Sequence, residues 1–278
     1  MDAAARTRLD ALAARLLDAL APPGTFSRPF VLGLSGLQGS GKSTLARRLA
    51  HAAQARGLHA LTLSLDDVYL TRSERLRLAS EVHPLLATRG VPGTHDVALL
   101  EAALDALANA SPQRAVALPR FDKGRDDRAP ESDWPRITAP PQLVVLEGWC
   151  LGVPPQPEAA LAEPINALER EEDGDGRWRR WVNARLVQDY PALWQRIDRL
   201  VLLAAPSFEV VERWRNEQEE TLRRAHAPQA MDADALRRFI AHYERLSRHA
   251  LASLPARADI VVELDESRTA SANRFHLS

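Results

Sequence analysis

The chain has 278 residues, of which 45% are hydrophobic and 26% charged, and its formal net charge is -1. This length can bury a substantial core in one large α/β domain or two small ones, and the near-neutral charge argues against nucleic acid or an anionic membrane as the main partner. The single cysteine, Cys150, excludes an internal disulfide and a multi-cysteine zinc site, and we expect a cytoplasmic protein.

The first 24 residues predict an amphipathic surface helix. Alternating aspartate and arginine interrupt a run of alanine and leucine, and Pro22-Pro23-Gly24 ends the pattern. The acidic residues distinguish this segment from a targeting sequence. No apolar run of the chain approaches the ~18 residues that a membrane-spanning helix needs.

A phosphate-binding loop is predicted next. The apolar run from Pro29 to Ser35 suits a buried parallel strand, and Leu45 and Leu49 begin a helical pattern that stops at Gly57. Between them, "GLQGSGKS" has the full G-x-x-x-x-G-K-[ST] spacing, in which glycines let backbone N–H groups face one anion. Lys42 is expected to reach the β- and γ-phosphates and Ser43 to ligate Mg²⁺. The candidate phosphate-binding residues are Gly36, Gln38, Gly39, Ser40, Gly41, Lys42, Ser43 and Thr44.

The rest of the chain alternates predicted strands with predicted helices. This order indicates a three-layer α/β/α fold with a mainly parallel central sheet. The predicted strands span 59–65, 115–118, 143–146, 200–203 and 260–264, and the predicted helices span 97–108, 178–197, 208–224 and 233–254. Two proline-rich stretches, 119–141 and 154–176, are expected to be irregular excursions from the core.

Acidic residues follow two of the predicted strands. "SLDDVYL" places Asp66 and Asp67 after one strand, and "LEGW" places Glu147 at the end of another. Ligands of α/β sheets lie off these strand ends, so Asp66 suits the group that orients or deprotonates an acceptor hydroxyl. Ser43, Asp66 and Glu147 are the candidate Mg²⁺ ligands, Glu147 directly or through water. Alternatively, Asp67 caps a turn, and either acid is merely solvated.

Two loops carry candidate acceptor-binding residues. "TRGVPGTHD" presents Arg89, His95 and Asp96 around a rigid turn, although Asp96 is equally well placed to cap the helix that begins at Val97. Lys123 and Arg128 belong to a basic cluster that suits a carboxylate substrate, unless neighbouring aspartates simply neutralise it. The chain lacks an Asn-Lys-x-Asp motif and a Ser-Gly-Gly-Gln signature, which favours a small-molecule kinase over a guanine-specific switch or an ABC-type ATPase.

Several motifs together resemble the D-glycerate 3-kinases, relatives of phosphoribulokinase, uridine kinase and pantothenate kinase. They are "GLQGSGKST", "SLDDVYLT", "RGVPGTHD", "PRFDKGRDDRAP", "LEGWCLG", "PINALEREEDGDGRWRRWVN" and "APSFEVVERWRNEQEETLR". The resemblance runs from about Phe30 to Leu264 and implies a single P-loop kinase domain over 1–278 that uses ATP. It also implies that Asp66 is the catalytic base and that Asp67 and Tyr69 line the acceptor pocket. A helical lid over 207–228 would supply Arg215 to the transferring phosphate.

The sequence therefore predicts a kinase that moves the γ-phosphoryl group of Mg·ATP to a hydroxyl of D-glycerate, giving 3-phosphoglycerate by family resemblance. We expect a small-molecule substrate, with neither nucleic acid nor membrane as a partner. Three alternatives stay open: a related kinase for a nucleoside, pantothenate or a sugar phosphate; a nucleotide hydrolase; and a nucleotide-binding regulatory protein without turnover.

Overall fold

The computed structural model describes residues 3–20, 28–224 and 231–275. Its strands are β1 (Phe30–Gly36), β2 (Ala60–Ser64), β3 (Val116–Ala117), β4 (Phe121–Asp122), β5 (Asp127–Arg128), β6 (Arg136–Ile137), β7 (Leu143–Gly148), β8 (Arg199–Ala204), β9 (Ile260–Leu264) and β10 (Ala270–Phe275). Within the described residues, six strands form the central sheet in the order β10-β9-β8-β1-β7-β2. Among the described strands of this sheet, only the β9–β10 pair is antiparallel.

The α-helices cover both faces of this sheet. They are α1 (Ala3–Leu20), α2 (Lys42–Ala55), α3 (Arg72–Glu81), α4 (Val97–Leu107), α5 (Ala167–Glu172), α6 (Arg177–Gln188), α7 (Pro191–Gln195), α8 (Val210–Arg224) and α9 (Ala233–Ser253). Successive strand residues point to opposite faces, so Leu32 and Leu34 join a core with α1, α2 and α8. Val31 and Leu146 join a second core with α4 and α7. The predicted three-layer α/β fold is confirmed.

Several predicted elements differ from those observed. The predicted strand at 115–118 is β3, which pairs antiparallel with β6 outside the central sheet. The helix predicted over 178–197 is divided into α6 and α7 at Pro191, which lacks the N–H that an uninterrupted helix needs there. The 154–176 excursion contains α5, and α3 had no counterpart among the predicted helices.

Some parts of the predictions concern residues outside the described ranges. The predicted end of the first helix at Pro22-Pro23-Gly24 is one of them, and the last part of the predicted lid, 225–228, is another. Residues 276–278 of the predicted kinase domain also lie outside these ranges. In the part of the chain that is described, every helix is too short or too polar to cross a bilayer.

Candidate active site

The phosphate-binding loop connects β1 to α2 with a backbone that suits an anion. Gly39 and Gly41 have positive φ angles of 79° and 88°, a conformation that glycine adopts without strain. Gly41 is the N-cap of α2 and offers no side-chain acceptor to the first N–H groups of the helix, which suits an anion there.

Close packing also requires glycine at the first two glycine positions of the loop, Gly36 and Gly39. A Cβ at Gly39 would lie 2.6 Å from Cβ of Trp214, and one at Gly36 would lie 2.9 Å from Oγ of Ser40. Among the described residues, Oγ of Ser40 and Oε1 of Gln38 are buried without a hydrogen-bond partner. Orphaned polar groups beside an uncapped helix start fit the oxygen-rich tail of a nucleoside triphosphate.

A serine and a glutamate meet beside this loop. Ser43, in the first turn of α2, donates a hydrogen bond of 2.8 Å to Oε1 of Glu147. Glu147 lies in β7, which pairs with β1, and only 8% of it is exposed. Hydroxyl and carboxylate oxygens are ligands that Mg²⁺ accepts, and Mg²⁺ sites in kinases usually add phosphate oxygens. The pair fits the predicted metal site. Lys42 and Thr44 flank Ser43 in the same turn.

Asp66 lies in the short 3₁₀ turn Leu65–Val68 that follows β2. Its Oδ1 accepts a hydrogen bond of 2.8 Å from the Tyr69 hydroxyl, and its Oδ2 accepts one of 2.7 Å from Nζ of Lys123. Burial alone would raise the pKa of Asp66, but the charges of Lys123 and Lys42 outweigh it and hold that pKa well below its ordinary value. The carboxylate is therefore ionised and within electrostatic range of the phosphate-loop lysine.

Asp67, the next residue, is in a different environment. Burial raises its pKa, and Arg120 opposes this rise through an ion pair of 3.3 Å to Oδ2. The pKa shifts of these two adjacent carboxyl groups are therefore opposite in direction.

Tyr69 and His95 form a stacked aromatic wall next to Asp66. Their ring centroids are 4.8 Å apart, and Nδ1 of His95 lies 2.7 Å from the hydroxyl of Tyr190. Nε2 of His95 is buried without a partner among the described residues. Burial lowers the pKa of His95 to about 4 although the nearby Asp66 raises it, so the ring is neutral near pH 7.

The loop that contains His95 also contains Asp96 and Arg89. Asp96 accepts a hydrogen bond of 3.0 Å from the Leu99 amide, which is the helix cap that the sequence allowed. Its other carboxylate oxygen accepts a hydrogen bond of 3.0 Å from Arg128. Asp96 therefore caps α4 and also positions the Arg128 guanidinium. Arg89 pairs with Asp126 and lies over the Phe121 ring.

Arg215 is held by neighbours on α8 and lies over the Phe239 ring of α9. Its guanidinium donates hydrogen bonds of 2.7 Å to Gln218 and to Glu219, both on its own helix α8. Trp214, the residue before Arg215 on α8, contacts the phosphate loop at Gly39. Sequence reasoning missed a second cation at this loop, Arg268, which lies 3.4 Å from the Gly39 carbonyl oxygen. No motif surrounds Arg268, so only the tertiary structure identifies it.

Known kinases are similar to this chain over most of its length, although no protein-family model matches it. A Schizosaccharomyces pombe kinase, mug58, is 37% identical over 237 residues, which are 80% of this chain and 80% of that protein. The chloroplastic D-glycerate 3-kinase of Arabidopsis thaliana is 30% identical over 254 residues, 86% of this chain and 53% of that protein.

A solved structure extends the similarity to the whole fold. The D-glycerate 3-kinase from Cryptococcus neoformans superposes with a TM-score of 0.74 and 25% identity, over 99% of this chain and 100% of that one. Together with the phosphate loop, these similarities show that the chain is an ATP-dependent phosphotransferase that belongs to the D-glycerate 3-kinase-like family of P-loop kinases.

Proposed function

We propose that this kinase transfers the γ-phosphoryl group of Mg·ATP to a hydroxyl of D-glycerate, giving 3-phosphoglycerate. The similar D-glycerate 3-kinases of Arabidopsis and Cryptococcus support this acceptor. The observation that carries the proposal is the ionised Asp66, held between the Tyr69 hydroxyl and the Lys123 ammonium within electrostatic range of Lys42. An acid in this position would lie between the phosphate held by Lys42 and the acceptor hydroxyl.

The phosphate end of ATP would be held by the loop from Gly36 to Thr44. Backbone amides at the start of α2 and the Lys42 ammonium would stabilise the charge that spreads over the phosphoryl oxygens during transfer. Ser43 and Glu147 would hold Mg²⁺, with Asp66 as the third candidate ligand. Bound Mg²⁺ would neutralise charge on the β- and γ-oxygens.

Asp66 would orient the acceptor hydroxyl and take its proton. Because its pKa lies well below the ordinary range, the carboxylate is always ready to accept a hydrogen bond, but it is a weak base. Phosphoryl transfer tolerates a weak base, since its transition state is loose and positioning supplies most of the rate enhancement. Proton transfer to Asp66 would then come late in the reaction.

The acceptor carboxylate would bind Lys123, whose side chain is 59% exposed beside Asp66. In glycerate, two carbon–carbon bonds separate the carboxylate from the terminal hydroxyl. This short separation suits the adjacent Lys123 and Asp66, of which Lys123 would bind the carboxylate and Asp66 the hydroxyl. Arg128, which hydrogen-bonds Asp96 and the Tyr69 carbonyl, would add positive charge next to them. Asp67, Tyr69, Arg89 and His95 would form the walls of the pocket.

Arg215 would assist transfer only after leaving Glu219, its present partner. We propose that α8 belongs to the lid over 207–228 and that bound phosphate draws Arg215 away from this intrahelical pair.

We further propose that 1–278 acts as one kinase domain. A reducing compartment such as the cytoplasm suits the buried, unpaired thiol of Cys150.

A screen of acceptors tests the proposed substrate. ADP release is measured with Mg·ATP and, in separate reactions, D-glycerate, L-glycerate, uridine, pantothenate, ribulose 5-phosphate or water. We expect D-glycerate to give the highest kcat/KM. A larger rate with another acceptor would identify a related kinase, equal rates with and without an acceptor would identify a hydrolase, and binding without ADP release would identify a regulatory protein.

Asp66→Asn tests the role of the acid. The amide keeps the shape of the side chain but cannot take a proton, so we expect kcat to fall by at least ~100-fold while ATP still binds. The matched control is Asp105→Asn, because Asp105 lies exposed on α4 and pairs with Arg196. Near-normal turnover of Asp66→Asn, with the control also active, would remove Asp66 from this role.

A further inference from the structure

The order of the sheet fixes the direction in which bound ATP extends. The phosphate loop follows β1, and β7 and β2, which supply Glu147 and lead to Asp66, lie on one side of β1. The transferring phosphate must face that side. The nucleoside end of ATP therefore extends to the other side, towards β8 and β9. Neighbouring strands are about 4.8 Å apart, so β9 lies roughly 10 Å from β1, within the length of a nucleoside triphosphate.

The turn that follows β9 holds an arginine in an unusual backbone conformation. Arg268 has a positive φ of 68°, which costs energy for any residue other than glycine. Asp265 imposes this turn, because its Oδ1 accepts hydrogen bonds of 2.8 Å from the Ser267 amide and 2.9 Å from the Thr269 amide. The turn thus holds one long cationic side chain at the sheet edge where ligands bind.

The same turn is attached to α8 and, through it, to the phosphate loop. Nε1 of the fully buried Trp214 donates a hydrogen bond of 2.8 Å to the Glu266 carbonyl oxygen, and Arg213 donates one of 2.9 Å to the same atom. Trp214 in turn packs against Gly39. The position of the turn relative to the phosphate loop is therefore set by direct contacts.

The side chain of Arg268 lies over the ring of Trp214. Its guanidinium carbon is 5.7 Å from the centroid of the Trp214 ring, and Glu217 pairs with it. One of its nitrogens lies 3.4 Å from the Gly39 carbonyl oxygen, and 28% of the side chain is exposed. A planar cation backed by a buried ring can thus present a second face at the rim of the phosphate loop.

We propose that Arg268 forms one wall of the adenine subsite, with its guanidinium stacked between Trp214 and the base. Guanidinium planes stack well on aromatic faces, and a purine offers such a face. Arg268 reaches the Gly39 carbonyl oxygen, which places its guanidinium at the β9 side of the phosphate loop. The inference rests on ATP being the donor and does not depend on which acceptor is phosphorylated.

Calorimetric titration of the full chain, without an acceptor, tests the proposal. Mg·ATP and inorganic triphosphate with Mg²⁺ are each titrated into the wild type, Arg268→Ala and Arg268→Gly. We expect both variants to bind ATP about tenfold more weakly and triphosphate with unchanged affinity, since only ATP carries a base. Glycine adopts positive φ without strain, so equal losses in both variants assign the effect to the side chain.

Arg274→Ala is the matched control. Arg274 lies on β10 of the same hairpin and pairs with Glu263, at 2.8 Å; we expect wild-type affinity for both ligands. Unchanged ATP affinity of both Arg268 variants would overturn the proposal. Equal weakening of ATP and triphosphate would also overturn it, because Arg268 would then contact phosphate. A wild type that binds ATP but does not phosphorylate D-glycerate would reject the proposed acceptor alone.

Discussion

Asp66 keeps its negative charge because two lysines oppose the effect of burial. Burial favours the protonated acid, whereas Lys123 and Lys42 favour the carboxylate. One of these cations belongs to the phosphate loop and the other to the loop between β4 and β5. The charge of Asp66 therefore depends on a contact between residues 57 positions apart, and this dependence can be measured.

Replacement of Lys123 should change the pH dependence of the reaction. In Lys123→Met, burial remains while the attraction and the hydrogen bond are lost, so the pKa of Asp66 rises. Because Asp66 must be ionised, activity is lost as the pH falls through its pKa, and the loss now starts at a higher pH. The wild type should show no such loss above about pH 5. Profiles of kcat/KM against pH measure this shift.

The same variant should bind the acceptor carboxylate poorly. A charge-assisted hydrogen bond typically contributes about 1.5–3 kcal/mol, so KM for D-glycerate should rise by roughly 10- to 100-fold. Arg125→Met is the control, because Arg125 lies two residues away, is exposed and pairs with Asp122. If kcat/KM fell at the same acidic pH in Lys123→Met as in the wild type, this account of the Asp66 charge would be contradicted.

At the scale of elements, local patterns predicted part of the site. The sequence predicted the strand–loop–helix that begins at Phe30. It also predicted the acidic residues that follow β2 and lie in β7. Each of these signals spans only a few neighbouring residues. The position of the loop around Gly90 is different, since it is fixed by partners that are distant in the sequence. Tyr243 donates a hydrogen bond of 2.8 Å to the Arg89 carbonyl oxygen, and Trp149 donates one of 3.0 Å to that of Gly90. No local pattern encodes these contacts.

Gly90→Ala should disrupt this loop. An added Cβ would lie 1.9 Å from the Tyr243 hydroxyl, and the φ of 132° is strained for alanine. We expect a loss of roughly 3 kcal/mol or more in the free energy of unfolding, because neither the backbone nor the tyrosine can move without breaking a hydrogen bond. Urea denaturation measures the stability, and kcat/KM reports the displacement of Arg89 and His95.

Gly174→Ala provides the comparison. A Cβ there would lie 3.5 Å from the Arg170 carbonyl oxygen, an ordinary contact, and no positive φ is required. Its stability should stay within about 0.5 kcal/mol of the wild type. A Gly90→Ala protein as stable as this control would show that the loop can rearrange freely, against the clamped geometry described above.

At the scale of the whole molecule, the sequence predicted the layered fold but not the contacts between distant segments. Alternation of apolar runs is a property of neighbouring residues, and it correctly indicated a mainly parallel sheet. Arg268 contacts Gly39 across 229 positions, and nothing near either residue marks the other. The excursion over 154–176 is similar, since it was expected only to be irregular, whereas its residue Glu169 is buried in an ion pair with Arg245, 76 positions away.

The ion pair of Glu169 with Arg245 attaches that excursion to α9. Arg245 donates hydrogen bonds of 2.7 Å and 2.6 Å to the two carboxylate oxygens and further ones of 2.6 Å to the carbonyls of Ala160 and Glu163. Glu169 is fully buried. Loss of one partner leaves an uncompensated buried charge, whereas an apolar pair of similar size removes both charges.

Glu169→Gln should therefore destabilise the protein by about 3–5 kcal/mol, and Glu169→Leu with Arg245→Met should recover much of that loss. Glu172→Gln is the matched control, because the exposed Glu172–Arg238 pair joins the same two helices and should contribute less than about 1 kcal/mol. Urea denaturation gives the free energies, and kcat per folded molecule should stay unchanged, since neither pair touches the candidate active site. Equal losses in the buried and the exposed single variants would mean that burial does not set the strength of this attachment.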